Sequence, residues 1–224
     1  MPELEVICED GPLLGVNKPS GLIAQGAPEG VVSLPDMVRD YLKKKYNKPG
    51  NVYLGIPHRL DRPVSGVTVF SRNSKCAARL SEQFAKRTVE KTYLAILESI
   101  PEKSSGRLEN WIYRIPNESR VVIRDADSPG AKIARLRYRV LETSKKRALV
   151  EVDLETGRMH QIRVQFANIG CPVYADTKYG ANSSMNDPNA IALHAFRMKL
   201  KHPVRYDDVI IEAPIPRSWN SLGF

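Results

Sequence analysis

The sequence predicts an α+β fold with a long mixed, mainly antiparallel sheet and flanking helices, and three observations predict it. Short strand-like runs dominate the chain. Amphipathic helical patterns interrupt them at irregular intervals, and no strict strand–helix alternation runs throughout. With 224 residues the chain can bury a sizeable core, and 42% hydrophobic with 26% charged residues is a globular composition without a disordered tract.

Leu13 to Val16 is a short apolar run, stopped by the turn cluster Asn17-Lys18-Pro19-Ser20-Gly21. Ser33-Leu34-Pro35-Asp36 reads as a capping box with aspartate in place of glutamate. Leu34, Met37, Val38, Tyr41 and Leu42 follow at helical spacing, so a helix covers about residues 34–46 and ends at Asn47-Lys48-Pro49-Gly50. Gly66 to Ser71 reads as a buried strand. Ser74 then caps a helix over about 75–87, with Ala77, Leu80 and Phe84 inward and Lys75, Arg79 and Lys86 outward. Thr92 to Leu97, Val121 to Ile123, Leu136 to Leu141 and Ala148 to Leu154 are further strands, with Ser128-Pro129-Gly130 a turn. His160 to Ile169 reads as a helix with Ile162, Phe166 and Ile169 on one face and Gly170 as its C-cap. Ile191 to Leu200 and Val209 to Ala213 are the late strands. No repeat or long linker divides the chain, so one domain over 1–224 is expected.

The net charge is +9 and the isoelectric point about 9.5, which favours a polyanionic partner such as nucleic acid. Cys8, Cys76 and Cys171 are odd in number and far apart, forming neither a disulfide framework nor a paired-cysteine metal site. They fit a reducing, cytoplasmic compartment. The opening Met1-Pro2-Glu3-Leu4-Glu5 lacks a signal-peptide layout, and no apolar run approaches the roughly 18 residues of a membrane span. Four scattered histidines argue against zinc, and no phosphate-cradling glycine motif points to a nucleotide cofactor.

The segments able to carry chemistry are few. His58-Arg59-Leu60-Asp61-Arg62 sets one carboxylate between two arginines in a turn, just before a buried strand. Neighbouring cations favour the charged form of an acid. Such an aspartate can serve as nucleophile, base or metal ligand, or belong to an ordinary surface ion-pair cluster. From His58 to Lys91 there are eight Lys or Arg against three acids. A solvated helix face accounts for Lys75, Arg79 and Lys86, but not for Arg59 and Arg62, which sit in a turn. Thr156-Gly157-Arg158-Met159-His160-Gln161-Ile162-Arg163 places two arginines, a histidine and a glutamine at a strand-to-helix junction. There arginines and free N–H groups can take phosphate, or an ordinary helix simply begins. Tyr93 in Lys91-Thr92-Tyr93 and His194 in Leu193-His194-Ala195 read, alone, as sheet residues.

Together these segments closely resemble the RluA-type family of RNA pseudouridine synthases. The matching pieces fall in the family's order: Asn17-Lys18-Pro19-Ser20-Gly21, His58-Arg59-Leu60-Asp61 with Ser65-Gly66, Lys91-Thr92-Tyr93-Leu94-Ala95, Gly157 to Arg163, and Leu193-His194-Ala195. The resemblance runs from about residue 4 to 214. Val64 departs from the family's usual threonine, and the resemblance leads us to expect a chain that starts at the catalytic domain, without the N-terminal RNA-binding module of many relatives, so that targeting would fall to that domain.

The resemblance implies the pseudouridine synthase fold with a central cleft, and isomerisation of uridines in structured ribosomal or transfer RNA without cofactor or metal. It implies Asp61 as the nucleophile or base, attacking uracil or ribose, with Arg163 as its charge partner. Tyr93 would pack on the target base and assist proton removal from carbon 5, and Leu193 would form an apolar wall. Arg59 would fill the space left by the flipped uridine, while Leu60, Arg62, Arg158, His160 and Gln161 bind substrate. A cytoplasmic monomer with RNA as partner and no membrane association completes the expectation. A non-catalytic RNA-binding protein on this fold would not need Asp61, Tyr93 and Arg163 together. A metal-assisted hydrolase would need further carboxylates or histidines that the motifs do not offer.

Overall fold

The computed structural model describes residues 3–224, so Met1 and Pro2, part of the segment read as leaderless, lie outside the described residues. The chain forms two compact units: Met1–Glu90 with Ala195–Pro214, and Lys91–His194 with Ile215–Phe224.

The first unit contains β1 (Glu5–Asp10), β2 (Leu13–Lys18), α1 (Leu34–Lys45), β3 (Ser65–Ser71) and α2 (Ser74–Lys86). Late in the chain, β9 (Leu193–Lys201) and β10 (Asp208–Glu212) return to its sheet. The strand order is β1-β2-β3-β9, with β10 paired to β9. Strand alternation explains why a helix covers each face. Leu13, Val67 and Val69 point to a core shared with Leu80 of α2. Leu14, Val16 and Phe70 point the other way, onto Leu34, Val38 and Leu42 of α1. Burying each of these α1 side chains contributes about 1.5–3 kcal/mol.

The expected capping box is present: the Ser33 backbone N–H donates to Asp36 Oδ2 at 3.0 Å and its hydroxyl donates to the same oxygen at 2.6 Å. The cap of α2 is Asn73 rather than Ser74, because the Asn73 side-chain oxygen accepts the Cys76 N–H at 2.9 Å.

The second unit contains β4 (Glu90–Leu97), β5 (Ser105–Arg114), β6 (Val121–Arg124), β7 (Lys132–Ser144), β8 (Arg147–Leu154) and α3 (Gln161–Asn168). Its strand order is β4-β8-β7-β5-β6. Every register determined within the two units is antiparallel, in keeping with the expected α+β class. One sheet face packs Ile112, Val121 and Ala134 against Val164 of α3 and Tyr179. The other carries a lattice of charges in which Arg107, Arg135, Arg137 and Arg139 are matched by Glu109, Glu151 and Glu155.

Two strands, β1 and β5, have no counterpart in the sequence reading. The helix at 160–169 also differs from its one-faced expectation, because Gln161 through Phe166 are all buried. Its polar side chains Gln161, Arg163 and Gln165 all hydrogen-bond inside the protein, with Gln165 Oε1 alone among their described buried atoms left unpaired, so the periodicity of apolar side chains does not mark the buried side. No helix is long and apolar enough to cross a membrane, among the described residues.

Candidate active site

In the first unit the chemistry-bearing segment is the turn that feeds β3. Its backbone closes by Val64 N–H donating to the Asp61 carbonyl at 3.1 Å. Arg59 and Arg62 are exposed, Asp61 is half-buried, and Leu60, at 6% exposure, is the apolar anchor between them. His58 fixes the approach to the turn. Its Nε2 accepts the Val69 N–H at 2.9 Å and its ring stacks on Phe84, with centroids 4.6 Å apart, so its job is to hold the turn on β3 and α2. Gly66 follows with φ +112°, and a Cβ there would lie 2.3 Å from the Ala195 carbonyl oxygen; only glycine lets the two backbones approach this closely.

The turn is tied to a second one, Lys18 to Gly21. The Arg62 carbonyl accepts from both Gly21 N–H, at 2.9 Å, and Lys18 Nζ, at 3.0 Å. Lys18 Nζ also donates to the Pro19 carbonyl at 2.9 Å, and Arg62 Nε returns a bond to the Gly21 carbonyl at 3.0 Å. Lys18 is fully buried. Burial pulls its pKa down to about 7, with Arg62 adding to the fall and the Asp61 charge opposing it. Asp61 therefore has a buried amine as an electrostatic neighbour, with Arg62 next to it in sequence and Arg59 two positions before it.

In the second unit, β8 leads through residues 155–160 into α3, and Gln161 organises that junction. Its side-chain oxygen accepts from the Thr156 hydroxyl at 2.7 Å and the Arg158 N–H at 3.0 Å, while Nε2 donates to the Arg135 carbonyl at 2.9 Å. The structure thus uses the Gln161 amide to shape the loop. Arg158 Nε donates to the Ile133 carbonyl at 3.1 Å. His160, buried and left-handed at φ 49°, sets its Nδ1 2.7 Å from the Tyr179 hydroxyl. A non-glycine residue held there carries local backbone strain that the surrounding structure must enforce.

Arg163 is buried, and Asp176 takes two of its five N–H donors, Nε at 2.6 Å and Nη2 at 2.7 Å. The guanidinium carbon lies 5.0 Å from the centre of the Tyr179 ring, within cation–π range. Arg163 and His160 are therefore gathered around one tyrosine, whose hydroxyl also accepts the Val121 N–H at 3.1 Å. Tyr93 is half-buried on β4, opposite Val152 of β8. Leu193 is buried at the start of β9.

Lys18, Asp176 and Tyr179 escaped the sequence reading as site residues. Lys18 had a signal, a lysine ending an apolar strand directly before a proline. Asp176 and Tyr179 had none without the fold, because only packing identifies them as partners of Arg163 and His160. Among the described residues, no group of three or more His, Cys, Asp or Glu side chains is placed to hold a metal ion.

The model of the RNA pseudouridylate synthase family matches residues 12–168, a segment that runs through both units and includes Asp61, Tyr93 and Arg163. An uncharacterized RNA pseudouridine synthase of Zymomonas mobilis, ZMO0505, is 34% identical over 98% of this chain and 97% of its own. The ribosomal large subunit pseudouridine synthase C of Rickettsia bellii is 32% identical over 97% of this chain and 70% of its own. The solved structure of human RNA pseudouridylate synthase domain containing 4 superimposes with a TM-score of 0.80 at 25% identity, covering 98% of this chain and 93% of that one. The chain belongs to the RNA pseudouridylate synthase family, isomerases that convert uridine in RNA to pseudouridine.

Proposed function

We propose that this chain isomerises specific uridines in structured RNA with Asp61 as the residue that starts the reaction, acting as nucleophile on the uracil or ribose or as a base. The bond from ribose to uracil nitrogen 1 breaks, the uracil turns, and a bond from ribose to carbon 5 forms. The carbon 5 proton leaves and nitrogen 1 gains one, so atoms and electrons balance without a redox partner. Arg163 supplies the positive charge that favours an ionised carboxylate during the reaction. Tyr93 packs on the base and assists proton removal, and Leu193 closes the apolar side. Arg59, Arg62, Arg158 and His160 serve the RNA, with Leu60 and Gln161 holding the loops that carry them.

The observation that carries this reading is that one family model spans Asp61, Tyr93 and Arg163 in a single stretch. The protein acts as a cytoplasmic monomer on ribosomal or transfer RNA. Large-subunit ribosomal RNA, named for the Rickettsia relative, is the first substrate to test. The test is pseudouridine mapping of total RNA from cells with and without the gene, complemented by wild type or Asp61→Asn. One or more sites should vanish with the gene and return only with wild type. Return of the sites with Asp61→Asn would overturn the assignment.

A further inference from the structure

Between Tyr41 and Ser81 the chain carries nine Lys or Arg and a single acid, Asp61. The amino-terminal part of that stretch, the end of α1 and the loop after it, has an unusual construction. Glu9 of β1 accepts bonds from the Tyr41 hydroxyl at 2.8 Å, Lys45 at 2.5 Å, Arg72 Nη1 at 3.2 Å and the Tyr46 hydroxyl. Partial burial pushes the Glu9 carboxyl up, but the bonds from Lys45, Tyr46 and Tyr41 outweigh it and hold the group down near 2. The Arg72 guanidinium lies 4.8 Å from the centre of the Tyr46 ring and is anchored in turn on the Gly11 carbonyl. Yet Tyr46 remains 42% exposed.

An aromatic ring tied at its hydroxyl and backed by a guanidinium has already given up the freedom that binding would cost. Lys43, Lys44 and Lys48 surround it in sequence, all exposed, and none forms an ion pair among the described residues. This differs from the arginines on the sheet face of the second unit, which glutamates neutralise. Lysines in the last turn of a helix complement its dipole, which accounts for Lys43 to Lys45. That effect explains neither Lys48 nor a pinned, exposed tyrosine. Proteins that hold single-stranded RNA combine these two features, an aromatic platform for a base and cations for the phosphates. Tyr53, 49% exposed, continues the same stretch toward the Asp61 turn.

We propose that Tyr46, backed by Arg72 and flanked by Lys43, Lys44 and Lys48, is a stacking site for an unpaired base of the RNA outside the target uridine. The proposal rests on RNA being the substrate class, but its test reads binding separately from isomerisation. The probes are a fluorescein-labelled oligouridylate, titrated at several salt concentrations, and its iodouridine counterpart for photocrosslinking to wild type.

Tyr46→Ala should lose affinity about tenfold, as expected for one stacked base, whereas Tyr46→Phe keeps the ring and most of the affinity. The combined Lys43→Gln, Lys44→Gln, Lys48→Gln variant should lower the slope of log affinity against log salt by about 2. Neither Tyr46→Ala nor the combined variant should change the single-turnover rate at saturating RNA. The crosslinked peptide should contain Tyr46. Wild-type affinity in Tyr46→Ala, or crosslinks that map only elsewhere on the chain, would overturn the site, and the crosslink decides the matter if Tyr46→Ala does not fold. Tyr46-dependent binding by a wild-type chain that makes no pseudouridine would defeat the assignment of activity and leave this site standing.

Discussion

Arg163 and Asp176 clasp each other through two parallel hydrogen bonds of 2.6 and 2.7 Å, with 5% and 1% of their side chains exposed. A buried charge pair repays its desolvation only when the geometry is this well formed, and removing one partner strands the other. Asp176 thereby fixes the plane of the Arg163 guanidinium, and Tyr179 lies against it. Arginine is required for that clasp, since lysine has no planar fork.

Asp176→Asn should therefore destabilise the fold by about 3–5 kcal/mol, the usual cost of breaking a buried pair. Arg163→Met should do the same and abolish turnover more than RNA binding. The double variant should be distinctly more stable than the sum of the two losses implies, because both changes remove the same bidentate interaction. Denaturant melts of the four proteins measure this. Simple additivity would show that the two residues are not energetically coupled.

Asp61→Asn keeps size while losing charge and nucleophilicity. It should eliminate pseudouridine formation, yet leave the melting curve and most RNA affinity at wild-type values. Turnover near the wild-type rate by the purified variant would remove Asp61 from the chemistry.

How much of this was legible in the sequence depends on whether the information is local. The capping box at Ser33 and Asp36 and the apolar spacing of α1 lie within a few residues of one another, and both are found where expected. Strand β5 was invisible because its alternate residues include Arg107 and Glu109, which read as loop-forming charges until their partners Glu155 and Arg135 are seen across the sheet. The helix α3 misled for a related reason. Gln161, Arg163 and Gln165 look solvent-facing, but each is bonded inside the protein. At the site, the Asp61 turn and the 157–163 motif could be picked out as contiguous strings. Asp176 could not, being 13 residues from Arg163 and joined to it only by folding.

Lys18 gives a pH signature. Its folded pKa of about 7 lies below the ordinary 10.5, so between these values the unfolded chain holds the extra proton. Its contribution to stability is thus complete above about 10.5 and lost as the pH falls through about 7. Relative to Lys18→Met, which does not titrate, wild type should gain stability steadily across that window. Lys18→Met should also turn over more slowly, because the Arg62 and Pro19 carbonyls each lose a donor. Parallel stability curves for the two proteins from neutral to alkaline pH would show that the Lys18 amine is not held in the depressed state.

Arg59 bears on how the target base is reached. It is exposed, two positions before the half-buried Asp61 and separated from it by the anchored Leu60. In this turn the long side chain can extend into RNA while its neighbours stay fixed to the protein. Extruding a uridine from a stack costs a few kcal/mol, and a guanidinium taking its place offsets part of that cost. Arg59→Ala should then lose more activity on a stem-loop, about tenfold more, than on an unstructured oligonucleotide with the same target uridine, because only the stem-loop demands unstacking. A phosphate contact alone predicts a different pattern: both substrates weaken alike, and the salt slope falls by about one. Measuring single-turnover rates and affinities on the two RNAs at fixed salt separates these outcomes, and an equal loss on both would rule out base replacement by Arg59.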